Sequence, residues 1–203
     1  MGFLEDVKGK LVVSCQALAN EPLYSAFVMG KMAAAAKEGG AAAIRAQGVE
    51  DIREIKRVTG LPVIGLIKRN YQDSEIYITP TQREVDELLS TTCEMIALDM
   101  TARPRPQGTE IGSLVARIHA AGRLVLADIS TYEEGKTAAA QGADAISTTL
   151  SGYTVYSPQL EGPDFALVEK LVRDMRIPVF AEGRINTPED LRQAMQAGAY
   201  API

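Results

Sequence analysis

TEIGSLVARIHAAGRLVLADI, residues 109–129, carries one complete unit of the fold. Ile111, Leu114, Val115 and Ile118 recur at helical spacing, which makes one apolar stripe on a helix over Thr109–Ala121. Gly122 follows where a left-handed helix cap is wanted. Leu124–Ile129 is then nearly unbroken in apolar residues, the pattern of a strand buried on both faces of a parallel sheet. That strand ends in a carboxylate, Asp128.

The same unit recurs on both sides of this stretch. Comparable apolar runs occupy Leu11–Cys15, Ala41–Arg45, Pro62–Ile67, Met95–Met100, Ala145–Leu150 and Pro178–Ala181, and an eighth begins at Tyr200. Their starts lie 21 to 33 residues apart, room for one helix and two loops. Between them, Ile52, Ile55 and Val58 form a stripe over Asp51–Thr59. Thr81 and Glu84 make a capping box before Leu89. Thr187-Pro188-Glu189-Asp190 puts a capping hydroxyl ahead of proline at a first helical position. Gly39, Gly60, Gly122, Gly142 and Gly198 each stand where a helix ends before a strand.

Seven complete units and the start of an eighth strand predict an α/β fold, a (β/α)8 TIM barrel forming one domain over residues 1–203. An open doubly wound sheet usually stops at five or six strands and often carries a glycine fingerprint after the first. Here the first run is followed by Gln16-Ala17-Leu18, without such glycines. Composition agrees with a globular domain: 203 residues, 46% hydrophobic, 23% charged. The net charge of −5 argues against nucleic acid or an anionic membrane as the main partner. No apolar run approaches the ~20 residues needed to span a bilayer. With two cysteines and no visible signal peptide, the cytoplasm is the expected compartment.

In such a barrel the C-terminal strand ends build the active site. Those ends here are Gln16, Arg45, Lys68-Arg69, Asp99-Met100-Thr101, Asp128, Ser147-Thr148-Thr149 and Glu182-Gly183-Arg184. One charged strand end is usually just a solvated loop position; seven in phase are not explained that way. Lys68 leaves the apolar strand Pro-Val-Ile-Gly-Leu-Ile, so desolvation should lower its pKa toward that of a base. Glu182 leaves Pro-Val-Phe-Ala and should be raised. A lysine and a carboxylate facing one pocket suit proton transfer at carbon. Arg45 and Arg184 are planar donors for carboxylate, phosphate or sugar oxygens. Gly183 allows close approach of the backbone to a ligand.

Other chemistries are poorly supported. The single histidine, His119, falls within a helix, and no D-x-D cluster offers a magnesium site. Cys15 and Cys93 read as buried thiols. Arg103-Pro104-Arg105-Pro106 reads as a stiff loop, with Arg103 within possible reach of an anionic substrate. The segments Asn70–Pro80 and Gly152–Pro163 carry Tyr71, Tyr77, Tyr153 and Tyr156, candidates for a lid.

LVVSCQALANEPL (11–23), AAAIRAQGVEDI (41–52), LPVIGLIKR (61–69), IALDMTARPRP (96–106), ADISTYEEG (127–135), STTLSGYT (147–154) and VFAEGRINTPED (179–190) together resemble the N-acetylmannosamine-6-phosphate 2-epimerase family of bacterial sialic-acid catabolism. The resemblance covers the whole chain. It implies the ribulose-phosphate-binding type of barrel, a phosphorylated amino sugar as substrate, and no metal or organic cofactor. It implies Lys68 as base or acid at carbon 2, with Glu182 as a second proton-transfer or orienting group. Gln16, Arg45 and Asp128 would hold the sugar and its N-acetyl group, with Gly183 and Arg184 beside the phosphate. A homodimer is the expected assembly. A Schiff-base aldolase, a ribulose-phosphate-type epimerase and an inactive truncated barrel are the rival readings. Against the family pattern the barrel should be incomplete at its C-terminal end, with strand eight and the helix after it largely missing and Pro202 unfavourable in a parallel ladder.

Overall fold

The computed structural model describes residues 2–203. In chain order the elements are α1 (Phe3–Val7), β1 (Val12–Cys15), α2 (Ala26–Glu38), β2 (Ala43–Gln47), α3 (Val49–Thr59), β3 (Val63–Leu66), α4 (Gln82–Leu89), β4 (Met95–Asp99), α5 (Ile111–Ala120), β5 (Leu124–Asp128), α6 (Tyr132–Ala140), β6 (Ala145–Ser147), α7 (Phe165–Asp174), β7 (Val179–Ala181), α8 (Pro188–Gln196) and β8 (Ala201–Pro202). The eight strands lie in sequential order and each pairs in parallel with the next. This is the TIM barrel expected from the periodicity.

Strand parity divides the core into two layers. Ile44, Ala46, Val63, Ile96, Leu98, Val125, Ala127, Ile146, Val179 and Ala181 face outward and pack with the helices. Ala43, Ile64, Leu66, Met95, Ala97, Leu126, Ala145, Phe180 and Ala201 face inward and fill the barrel. Because side chains alternate with period 2, the inward series continues into the polar residues at the strand ends. Ser14 and Gln16 follow Val12, Arg45 follows Ala43, and Lys68 follows Leu66. Asp128 follows Leu126, Ser147 and Thr149 follow Ala145, and Glu182 follows Phe180. One packing rule therefore sets both the core and the barrel mouth.

Helix α1, which the sequence periodicity does not reveal, plugs the opposite end. Phe3 and Val7 join the inner cluster. The Tyr200 hydroxyl donates to Leu4 O at 3.0 Å, and Gly9 N donates to Tyr200 O at 2.8 Å, which ties this segment to the approach of β8. Strand β8 forms, contrary to the expectation drawn from Pro202. Tyr200 N donates to Val179 O and Ile203 N to Ala181 O, so the ladder steps over the residue that has no N–H.

The capping boxes Thr81–Glu84 and Thr187–Asp190 are present, and Thr131–Glu134 adds a third on α6. Gly60, Gly122, Gly142 and Gly198 all have positive φ. Gly39 does not; its φ is −74°, and the left-handed position is Gly40 at 95°. Strand β2 also runs two residues further than expected, to Gln47, which sets Arg45 down inside the barrel rather than at its lip.

Candidate active site

A cavity of about 340 Å³ opens at the C-terminal mouth of the barrel. Gln16, Arg45, Lys68, Glu182, Gly183 and Arg184 all line it, with Tyr77, Thr149, Tyr153 and Asn186. Six of the seven residues expected at the site are thus brought to one space. The seventh, Asp128, is fully buried behind Arg45.

Arg45 is 1% exposed and is the electrostatic centre. Its Nη2 lies 2.6 Å from Asp128 Oδ2 and its Nε 3.2 Å from Glu182 Oε1. Burial works against its charge, yet the two carboxylates hold the guanidinium pKa above its ordinary value. Arg45 Nη1 and Gln16 Oε1 are buried without hydrogen-bond partners, one donor and one acceptor. An unmade hydrogen bond of this kind costs about 1–3 kcal/mol, which a ligand can recover by making it.

Glu182 is held by β6. The Ser147 hydroxyl lies 3.1 Å and the Thr149 hydroxyl 2.8 Å from Glu182 Oε2. The Thr148 hydroxyl, on the outward parity, donates to Glu182 O and accepts from Glu182 N, fixing the backbone from which the side chain projects. Burial raises the carboxyl pKa, the nearby Asp128 adds to this, and Arg45 opposes it. Lys68 is shifted the other way: burial and the Arg45 charge lower it, against Glu182 and Asp128. The two shifts run in opposite directions, the amine down and the carboxyl up, and both weaken an ion pair between them.

The Lys68 backbone is fixed by an antiparallel bridge to Ile78, which also brings Tyr77 to the cavity. Thr79 N donates to Ile67 O at 2.8 Å to close this turn. Arg69, of opposite parity, turns away to Glu84 and Glu87 on α4 and takes no part. At the far side, Gly183 has φ 105° and Arg184 φ 58°. A non-glycine residue in the left-handed region is uncommon, and such strain concentrates at ligand sites. The Arg184 guanidinium donates to Gly162 O and Ser151 O and lies 5.5 Å from the Tyr153 ring centroid. Gly152 beside it has φ 82°, a backbone conformation that favours glycine.

The other candidates are engaged elsewhere. Arg103 pairs with Asp99 at 2.6 Å, and Arg105 donates to Pro80 O. Tyr71 bonds Glu84 and Tyr156 bonds Glu134, so only Tyr77 and Tyr153 of the four tyrosines reach the cavity. His119 sits on the outer helix α5 beside Asp144. Among the described residues no group of three His, Cys, Asp or Glu side chains is placed to hold a metal ion, and no helix is long and apolar enough to cross a membrane.

Residues 29–203 match a family model described as "Putative N-acetylmannosamine-6-phosphate epimerase". A relative of that activity, named as a 2-epimerase, from Clostridium perfringens strain SM101 is 65% identical over 201 residues, covering 99% of this chain and 91% of the relative. One from Clostridioides difficile strain 630 is 62% identical, covering 99% and 90%. The solved N-acetylmannosamine-6-phosphate 2-epimerase of Clostridium perfringens superposes with a TM-score of 0.99 at 64% identity, covering all of this chain and 89% of that one. A thiamine phosphate pyrophosphorylase from Pyrococcus furiosus, at 20% identity and a TM-score of 0.64, shares the fold alone.

Proposed function

The chain belongs to the N-acetylmannosamine-6-phosphate epimerase family, and from that premise we infer that it interconverts N-acetylmannosamine 6-phosphate and N-acetylglucosamine 6-phosphate. The two sugars differ only in configuration at carbon 2. In the open-chain form that carbon is α to an aldehyde, so its proton is weakly acidic. Removing it gives an enediolate, and returning a proton to the opposite face gives the epimer.

The observation that carries the residue assignment is the placement of Lys68 and Glu182 in the walls of one cavity, where burial lowers the amine and raises the carboxyl. The Lys68 amine takes the proton from carbon 2 and becomes an ammonium. The Glu182 carboxyl gives its proton to the other face and becomes a carboxylate. That end state is the starting state for the reverse reaction, so protons balance in both directions. Gln16 and Arg45 offer the unpartnered acceptor and donor that an acetamido group would satisfy. Asp128 keeps Arg45 in place, and Gly183 and Arg184 bind the phosphate end.

Incubating the chain with N-acetylmannosamine 6-phosphate in deuterated water tests this reading. The expected product is N-acetylglucosamine 6-phosphate with deuterium at carbon 2. No product would refute the activity, and borohydride trapping of substrate on Lys68 would mark a Schiff-base enzyme instead. We also propose a cytoplasmic homodimer. The free thiols Cys15 and Cys93 support the compartment, and the exposed large side chains Leu23, Tyr24 and Phe27 support self-association, which light scattering measures directly.

A further inference from the structure

We infer that Asp128 and Glu182 share one proton across the Thr149 hydroxyl, so that the unliganded chain presents Glu182 as a carboxylic acid and Asp128 as the counter-ion of Arg45. The inference deepens the reading above and rests on it for its catalytic meaning.

It follows from counting hydrogens. Thr149 Oγ1 lies 2.7 Å from Asp128 Oδ1, 2.8 Å from Glu182 Oε2 and 2.8 Å from Ser147 Oγ. Ser147 Oγ lies 3.1 Å from Glu182 Oε2. These are four short oxygen–oxygen contacts. Each hydroxyl has one hydrogen, and an ionised carboxylate has none. With both carboxylates ionised, two hydrogens serve four contacts, and two pairs of lone pairs meet with nothing between them. One proton on Glu182 Oε2 makes three hydrogens for the four contacts and leaves a single lone-pair contact instead of two. Glu182 then donates to Thr149, Thr149 donates to Asp128, and the Ser147 hydrogen is left for the remaining neighbours.

Charge counting gives the same answer. From β2, Arg45 is the guanidinium that meets both carboxylates, and its 2.6 Å contact is to Asp128 from β5. Its Nε, though 3.2 Å from Glu182 Oε1, makes no hydrogen bond there. A second buried anion without its own cation is costly. The other cation facing Glu182 is Lys68 after β3, whose ammonium is itself disfavoured by burial and by Arg45. Tyr77 lines the same cavity and is pushed up by burial, so it stays neutral.

Thr149 is therefore a positioning residue. While Glu182 is an acid, the Thr149 hydrogen serves Asp128. When the Glu182 O–H bond breaks and the new C–H bond forms on the substrate, that hydrogen can swing to the carboxylate just created. A threonine between two carboxylates thus stabilises both protonation states in turn.

Isotope-edited infrared spectroscopy of the unliganded full chain, with labelled glutamate, tests this without turnover. The expected result is a carboxylic-acid C=O band at neutral pH that is absent in Glu182→Gln. In Thr149→Val the midpoint at which this band is lost should rise by about one pH unit, because the hydrogen bond to the Glu182 carboxylate, the stronger of the two that Thr149 makes in turn, is gone, and Thr149→Ser should restore it. Asp128→Asn, which frees Arg45 to pair with Glu182, should abolish the band at neutral pH even if the valine variant does not fold. Absence of the band from the unaltered chain overturns the inference, as does an unchanged midpoint in Thr149→Val or Asp128→Asn. A band that behaves as expected in a chain that does not epimerise would refute the activity and leave the shared proton standing.

Discussion

Two of the cavities beside the strand ends differ in kind. One, of about 650 Å³, lies between the loop after β4 and helix α6, with Arg103, Arg105, Glu134 and Tyr156 in its walls. The other, about half that size, is the barrel mouth. In the larger one the charged groups are mostly spoken for. Arg103 has Asp99 and Thr101. Arg105 has two backbone carbonyls; one nitrogen lacks a partner and burial lowers its pKa to about 10, which leaves it cationic at neutral pH. In the barrel mouth, a donor on Arg45 and an acceptor on Gln16 await partners, and Lys68 and Glu182 are both shifted toward neutrality. Volume alone would choose the larger cavity; unmet hydrogen bonds and opposed pKa shifts favour the mouth as the reactive one that we propose.

Glu134 and Glu182 sharpen the contrast. Both carboxyls are withdrawn from water at the rim. Glu134 accepts from the N–H groups of Ala102, Ser130 and Thr131 and from the hydroxyls of Ser130 and Tyr156. Burial raises its pKa, but these donors outweigh burial and the net shift is downward. Glu182 has two hydroxyls, one of them shared with Asp128, and burial prevails. The same side chain is lowered in one place and raised in the other because of the number of hydrogens aimed at it.

The largest effect that tests this contrast belongs to Lys68. Lys68→Ala should abolish exchange of the carbon 2 proton with deuterated solvent, a loss on the order of 10³-fold or more read by proton NMR. Exchange at the unaltered rate would remove Lys68 from the chemistry. Next comes Glu182→Gln, which keeps shape and hydrogen-bonding capacity but cannot release a proton. Its kcat should fall by about 10²-fold with KM little changed. Unaltered turnover would show that Glu182, like Glu134, is structural.

Much of this was legible in the residues. Period-2 alternation runs from Leu66 to Lys68, from Leu126 to Asp128 and from Phe180 to Glu182, so the same pattern that marks the core also marks the mouth. It equally explains why Arg69 turns away. Depth was less legible: Ala46 and Gln47 extend β2, and only the pairing with Gly65 and Leu66 of β3 shows that Arg45 lies below the lip. Adjacent Gly39 and Gly40 are equivalent in composition, so which of them takes positive φ is settled by packing. The hub at Thr149 needs β5, β6 and β7 side by side, a relation no local pattern contains. Tyr77 reaches the site only through the Lys68–Ile78 bridge, and α1 is too short to show a stripe.

Smaller effects come from the structural carboxyl. Glu134→Gln should leave kcat and KM nearly unchanged but cost about 1–3 kcal/mol of stability. Because the folded pKa of Glu134 is lowered, its contribution is fully present above its ordinary value of 4.5 and is lost as pH falls through the lower folded value. Thermal melts of the parent chain should therefore lose stability on acidification below that point, and the glutamine variant should lose less. Equal pH slopes would mean that Glu134 is not held as an anion.

Tyr156→Phe should have the smallest effect of the series. It removes one donor, the hydroxyl that reaches Glu134 Oε1 at 2.6 Å, while the ring stays half exposed over the larger cavity. Other donors to Glu134 remain, so one neutral-to-charged hydrogen bond is lost and no cavity is made. The expected cost is about 1 kcal/mol, or a fall in Tm of about 2–4 °C for a chain of this size. Steady-state kinetics with N-acetylmannosamine 6-phosphate give the sharper reading of the same variant. If the larger cavity is only scaffold, KM stays where it was. A several-fold rise in KM would place substrate against Tyr156, and the division between a quiet cavity and a reactive one would fail at its weakest point.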